Sequence, residues 1–433
     1  MSIDVLNRFD GVCPKCGKLH KFTTDVYTGS GALNALPEAL HKYHITNPYV
    51  IADQNTWAAA GEQVRSRLDK AEYYIFNKTF LEPDESNLGL AFMYMSSVCD
   101  GIICIGSGVL NDICKMVAAI SGKPYIIVAT APSMDGYASG NSSMVRDGMK
   151  ITIESQCPNV IIGDTDILKN APVKMMLSGL GDMIAKYVSI CEWQISALVT
   201  GDYYCEDVAE LVKVALKRCV DNAEGLLKRD AQAVEAVFEG LVISGASMFY
   251  AGSSRPVSGI EHYFSHVWDM RGLSLHLPIE FHGIQCAVGA LQTLKLYEKL
   301  VKITPNREKA LAYVRSFDLP AWHERLCQFL GKSGEIMVQL EKKEGKYDIQ
   351  RHEKRLERIL DNWEQILQII HRELPSAAYL EELMTKLGMP KTLPEIGVDE
   401  SLLEMTFKST KDIRNKYVLS HLSWDLGIID EII

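Results

Sequence analysis

GIICIGSGVLNDICKMVAAISGKPYIIVATAPS, residues 101–133, decides the fold. Two short runs, GIICIG (101–106) and PYIIVAT (124–130), are apolar at nearly every position, and a helical stretch, VLNDICKMVAAIS, lies between them. Strands that apolar are buried on both faces, which is the mark of a parallel sheet covered by helices. The same rhythm holds upstream. PYVIAD (48–53) is followed by the helical WAAAGEQVRSRLDKAE, then by YYIFN (73–77) and a helix through NLGLAFMYMSSV. MKITIES and NVIIGD downstream either extend the sheet or form a hairpin beside it. From about residue 171 strand-like runs give way to long helical patterns. The expected architecture is an N-terminal extension over 1–40, an α/β nucleotide-type domain over 41–170 and an all-α domain over 171–433. The charge-alternating segment 333–373 reads as a solvated surface helix pair.

A chain of 433 residues is long enough for two or three domains. Its 47% apolar and 23% charged content is that of a globular protein. A net charge of −10 argues against a nucleic-acid backbone as the main partner, since that needs basic surface, but leaves room for a local basic pocket. No run reaches the roughly 18 apolar residues of a membrane span, and MSIDVLNRFDG lacks the apolar core of a signal peptide. Eleven cysteines, most inside apolar runs, read as reduced, buried thiols of a cytoplasmic protein.

Gly106, Ser107 and Gly108 fall between a strand and a helix, where a backbone without Cβ atoms can approach a pyrophosphate and the helix N-terminus offers amides to it. Asn111 stands where a full G-x-G-x-x-G would have its last glycine, so a plain tight turn competes with that reading. Asp53, ending its strand, is placed either for a ribose hydroxyl or as an ordinary helix cap. TAPSMDGYASGNSSM (130–144) sets Thr130, Ser133, Asp135 and Ser139 beyond the carboxyl end of a strand, the ligand-binding edge of an open parallel sheet.

Two groups suggest metal. In LSGLGDMIAKYVS, Asp182 lies in an apolar helix, so it needs a partner: either Lys186 one turn on, or a cation. His262, His266 and His282 in SGIEHYFSHVWDMRGLSLHLPIEFHG (258–283) supply imidazoles from two helices, and Asp with two or three His is a plausible set for Zn²⁺, or for Fe²⁺ or Ni²⁺. The pair spaced by four is not the H-E-x-x-H of a zinc protease, because Tyr263 replaces the glutamate. His276 reads as an ordinary loop histidine. GVCPKCGKLH (11–20) holds C-x₂-C followed by His20, half of a zinc ribbon, with only His41 and His44 as nearby further donors; a simple turn is the alternative.

In combination, GSGVLND, TAPSMDGYAS, GLGDMIAKY, SGIEHYFSH and HLPIEFHG resemble the sn-glycerol-1-phosphate dehydrogenases, within the superfamily of glycerol dehydrogenases, iron-containing alcohol dehydrogenases and dehydroquinate synthases. The resemblance runs from about residue 45 to RNKYVLSHLSWDLG. It implies a Rossmann-like dinucleotide-binding domain followed by an all-helical, dehydroquinate synthase-like metal domain. It also implies NAD(P) contacts from Asp53, Gly106, Ser107, Gly108, Thr130, Ser133 and Ser139, and a divalent metal on Asp182, His262 and His282. Asp135 would touch substrate, and His266 would lie over it near the nicotinamide. The reaction implied is interconversion of dihydroxyacetone phosphate and sn-glycerol 1-phosphate, the metal acting as Lewis acid and His266, or a relay through Asp135 or water, supplying the proton. Lys186 or Arg255 would face the substrate phosphate by charge alone. A polyol dehydrogenase or a dehydroquinate-synthase-like cyclase shares the triad, although the cyclases usually carry glutamate where Asp182 stands; a non-enzymatic metal-binding protein would rest on Cys13 and Cys16. A homo-oligomer, a dimer first, is expected.

Overall fold

A computed structural model describes residues 3, 5–78, 80–147 and 149–433. It divides into two compact units, Met1–Met183 with Glu210–Gly252, and Ile184–Ala209 with Ser253–Ile433. The sequence suggested one change of character near residue 171. The chain instead passes between units three times, because one helical excursion returns to the first unit.

The first unit is built on a six-stranded parallel sheet: β1 (Asp25–Gly29), β2 (Pro48–Asp53), β3 (Glu72–Phe76), β4 (Gly101–Gly106), β5 (Tyr125–Ala129) and β6 (Val160–Asp164), in the order β1-β6-β5-β4-β2-β3. Alternate residues point to one face. Val50, Ala52, Ile103, Ile105, Ile126, Val128, Val160 and Ile162 form that buried layer, closed by Leu33, Leu36, Ala39 and Val64. On the sequence side of this result, β2 to β6 follow the expected apolar runs. β1 was expected to be part of an extension, yet DVYTG pairs in register with VIIGD and forms the sheet edge. Its half-buried residues carry no strong apolar signal. Of the two runs left open, NVIIGD extends the sheet as β6, whereas MKITIE pairs with NSSMVR in a separate antiparallel hairpin.

β4 pairs with β2 although β3 precedes it in the chain, so the winding direction reverses between β2 and β4. Ligands of open α/β sheets bind outside the strand carboxyl ends at such a reversal. Helix α1 (Gly108–Ser121) follows β4 and packs on it. Further on come α2 (Val173–Ile184), α3 (Lys186–Thr200), α4 (Glu206–Asp221) and α5 (Ala231–Ala251). Helix α5 is apolar and long enough to cross a membrane, but 83% of its apolar window is buried in the protein, as in a core helix.

The second unit is helical among its described residues. Helix α6 (Ile260–Leu275) ends at His276, which adopts a left-handed cap at φ 53°, and α7 (His282–Leu300) begins four residues after Pro278. His276 is thus a helix-ending residue, consistent with its reading as a loop histidine. The charged segment 333–373 forms three helices rather than two: Lys332–Glu344, Ile349–Asp361 and Trp363–Glu373. Each buries a stripe, including Met337, Leu356, Ile359, Ile366 and Ile370, beneath its charged face.

Candidate active site

In the first unit, the expected phosphate loop sits at the winding reversal. Ser107 caps α1 in extended conformation, and no side-chain bond fills the cap, so the first-turn amides are not consumed by its hydroxyl. A Cβ at Gly106 would lie 2.7 Å from Leu110 Cβ, so close strand–helix packing demands glycine there. The Thr130 amide donates to Gly106 O at 3.0 Å, which ties the two strand ends together. Asn111 is buried and structural. It accepts from the Tyr125 hydroxyl at 2.7 Å and donates to Gly136 O at 3.0 Å. Asp53 does what the plainer reading said: its carboxylate accepts from the Thr56 amide at 2.8 Å, and Thr56 Oγ1 accepts from the Asp53 amide at 3.0 Å, a reciprocal cap. It nevertheless ends the strand adjacent to β4.

The loop after β5 is gripped from two sides. On α2, a Cβ at Gly179 would collide with the Pro132 carbonyl, and the Ser178 hydroxyl donates to Ser133 O at 3.0 Å. On α5, a Cβ at Gly245 would stand 2.8 Å from both Ala138 Cβ and Asp135 O. Asp135 is then fixed at both ends. Its amide donates to Asp182 Oδ2 at 2.9 Å, and its Oδ2 accepts from the Ser244 hydroxyl at 2.8 Å. The structure therefore brings Asp135 and Asp182 together. Asp182 is fully buried, and a backbone amide is one of its partners. Lys186, the plain ion-pair candidate, donates to Val257 O at 3.0 Å. Ser139 closes a local turn, exchanging bonds of 3.1 Å with Asn141.

In the second unit, His262 and His282 meet edge to face with ring centroids 5.1 Å apart, and His266 stacks on His282 at 6.3 Å. The two closest rings are oriented by hydrogen bonds at Nδ1. His262 Nδ1 donates to Glu261 Oε1 at 2.7 Å. His282 Nδ1 donates to Ser265 Oγ at 3.0 Å, and the Ser265 hydroxyl in turn donates to Gln285 Oε1. With Nδ1 engaged in this way, Nε2 is the nitrogen each ring offers to a cation, as carboxylate-backed metal histidines do. Cys286, one turn after His282 on α7, lies 3.6 Å from His282 Nε2, and the donor atoms of His262, His282 and Cys286 all fall within 4.8 Å of one another. This cluster fits a divalent ion with imidazole and thiolate affinity. Sequence reasoning missed Cys286; its signal was the i, i+4 spacing in HGIQC.

Buried charge surrounds the pair. Glu192 accepts from the Ile260 and Leu419 amides at 2.8 and 2.7 Å. Burial, then the neighbouring Glu261, pushes its pKa well above the usual carboxylate range. Gly259 has no room for a Cβ, which would stand 2.6 and 2.7 Å from Glu261 Oε2 and Glu192 Oε2. Lys416 donates to Ser258 O at 2.6 Å; burial, then Arg414 and Arg255, brings its pKa down to about 7. It lines a cavity of about 330 Å³ with Lys346, Arg351, Arg355 and Asp202. Arg255, expected to face phosphate, pairs with Asp202 at 2.8 Å.

An iron-containing alcohol dehydrogenase model matches residues 27–172. A glycerol-1-phosphate dehydrogenase [NAD(P)+] of Halalkalibacterium halodurans is 32% identical over 293 residues, covering 66% of this chain and 73% of that protein. One of Hyperthermus butylicus is 34% identical over 277 residues, covering 63% and 77%. Among solved structures, glycerol dehydrogenase from Schizosaccharomyces pombe superposes with a TM-score of 0.59 at 18% identity, over 96% of this chain and 92% of that one, which extends the likeness of fold to nearly the whole length. By these relatives the chain belongs to the glycerol-1-phosphate dehydrogenase family, within the iron-containing alcohol dehydrogenases.

Proposed function

We propose that the protein is a metal-dependent, NAD(P)-linked oxidoreductase that interconverts dihydroxyacetone phosphate and sn-glycerol 1-phosphate. The observation that carries this is identity above 30% to relatives bearing that activity's name over about three quarters of their length. The shared orientation of His262 and His282 supports the metal-dependent part.

Asp182, His262 and His282 hold the divalent ion, zinc first, with nickel or iron accepting the same donors. Asp53, Gly106, Ser107, Gly108, Thr130, Ser133 and Ser139 receive the dinucleotide. When bound, the ion polarises the ketone oxygen of the substrate and NAD(P)H supplies the hydride. Glu261 and Ser265 keep the two ligating rings in one tautomer. Asp135, its amide on Asp182 and its carboxylate on Ser244, presents a fixed oxygen to substrate. His266 delivers the proton that the product alcohol needs. The protein acts in the cytoplasm as a homo-oligomer, a dimer first.

The test is a dehydrogenase assay on both enantiomeric glycerol phosphates, after chelation and after restoring one metal at a time. Oxidation of glycerol 1-phosphate but not glycerol 3-phosphate, lost on chelation and regained with zinc, nickel or iron, is the expected result. Full activity after complete metal removal, or equal use of both enantiomers, overturns the reading.

A further inference from the structure

The N-terminal CPKCGKLH plays no part in the reaction proposed above, and its geometry is not that of a casual turn. Gly11–Val12 and Leu19–His20 pair as a short antiparallel hairpin with Cys13 and Cys16 in its connection. The Cys13 amide donates to Lys18 O and the Gly17 amide to Cys13 O, both at 2.9 Å, and Gly17 takes the left-handed φ of 71° that closes such a knuckle. His20 is carried back over the thiols by the second strand. Its Nε2 is 3.4 Å from Cys16 Sγ, and the donor atoms of Cys13, Cys16 and His20 lie within 4.8 Å of one another. Thiolates about 2.3 Å and an imidazole about 2.0 Å from one tetrahedral ion stand roughly 3.6 Å apart, so the spacing is that of a coordination shell.

The His20 ring is also held in place. It is 1% exposed, stacks on Phe9 at 5.1 Å with planes 2° apart, and packs against Tyr250 near the end of α5 at 5.3 Å. A redox C-x-x-C gains its low-pKa thiolate at a helix N-terminus; this one lies in a strand connection, and no disulfide joins it.

We propose that Cys13, Cys16 and His20 form a structural zinc site, separate from the catalytic ion, that fastens the N-terminal hairpin to the end of α5. Two thiolates and a neutral imidazole balance the charge of one Zn²⁺, with a fourth position for a further thiolate or water. Helix α5 also carries Ser244 and Gly245 against the Asp135 loop, so the ion would brace the helix that braces that loop.

Full-length protein purified without chelator should carry a zinc equivalent that remains in His262→Ala and is lost in Cys16→Ser and in His20→Asn. With cobalt(II) in place of zinc, a thiolate-to-cobalt charge-transfer band should survive Cys286→Ser and vanish in Cys13→Ser. Because a variant can fail simply by misfolding, the unmodified protein provides the second arm: iodoacetamide should label the Cys13–Cys16 peptide only after zinc is removed. Equal labelling with and without zinc, a charge-transfer band that depends on Cys286 alone, or isolation of the peptide as a disulfide from reductant-treated protein overturns the site. None of these readouts uses dehydrogenase activity, so the catalytic reading can fail while this one stands.

Discussion

Two candidate functional regions, one in each unit, are held by different means. The loop around Asp135 is positioned by backbone: Gly179 and Gly245 bring two helices onto it, and its amide and carbonyl groups take the contacts. The histidine pair is positioned by side chains, Glu261 behind His262 and Ser265 with Gln285 behind His282. Backbone packing tolerates no added atom, so the loop should fail by loss of fold. A side-chain shell can lose one member and leave its first partner in place, so the histidines should fail by loss of metal with the fold intact.

The largest effect separates these modes. His262→Ala removes a proposed ligand, and turnover should fall on the order of 10³-fold, the several kcal/mol a Lewis acid contributes, with bound catalytic metal lost and the thermal midpoint measured without metal little changed. His266→Ala should keep the metal, read by mass spectrometry, and still lose turnover. If His266→Ala also releases metal, the division between ligand and proton donor is wrong. Cys286→Ser sharpens this further. Metal retention would leave Asp182 as the third ligand, whereas loss equal to that of His262→Ala would hand that role to the thiolate beside the imidazoles.

Gly179→Ala comes next, on the other side of the comparison. Its methyl group meets the Pro132 carbonyl, backbone against backbone, with no flexible side chain to yield. Unfolding by urea should show a loss of about 3 kcal/mol, the upper part of the usual range for overpacking. A stable, fully active Gly179→Ala would mean that the loop is not clamped as described.

The same contrast governs what could be read from sequence. GLGD and the glycine loop are visible because a missing Cβ is a property of the residue itself, and the sheet is visible because β2, β4, β5 and β6 are apolar on both faces. The edge strand β1 was not, since DVYTG is half-buried and borrows its register from VIIGD 135 residues on. The shell behind the histidines was hidden for a different reason. Glu261 is adjacent to His262, but nothing in EH tells which side chain turns toward which; that depends on Gly259 and on Glu192 from another helix. Cys286 was overlooked among buried thiols, where composition made it look like core.

A smaller effect tests that shell directly. Glu261→Gln keeps an acceptor for the Gly259 amide and for His262 Nδ1 but removes the charge, so affinity for the catalytic metal should fall roughly 10-fold, at the gentle end of what outer-shell changes cost. Competition against a calibrated chelator measures it. An unchanged affinity would mean that the 2.7 Å bond orients the ring without raising its basicity.

The smallest effect concerns Asp53, where the two readings of the sequence are both still in play. Its cap on the following helix is present, and Asp53→Ala should cost about 1 kcal/mol by losing the bond to the Thr56 amide. Asp53→Asn keeps a capping oxygen, so stability should return to near that of the parent protein. The cofactor distinguishes the rest. If the carboxylate also meets the ribose at the winding reversal, Asp53→Asn should raise KM for NADH while leaving kcat nearly unchanged, and should narrow any preference for NADH over NADPH, because a 2′-phosphate no longer faces a negative charge. If KM for both cofactors is unmoved in a fully stable Asp53→Asn, the residue is a cap and nothing more, and dinucleotide recognition at this edge of the sheet falls to the glycine loop across from it.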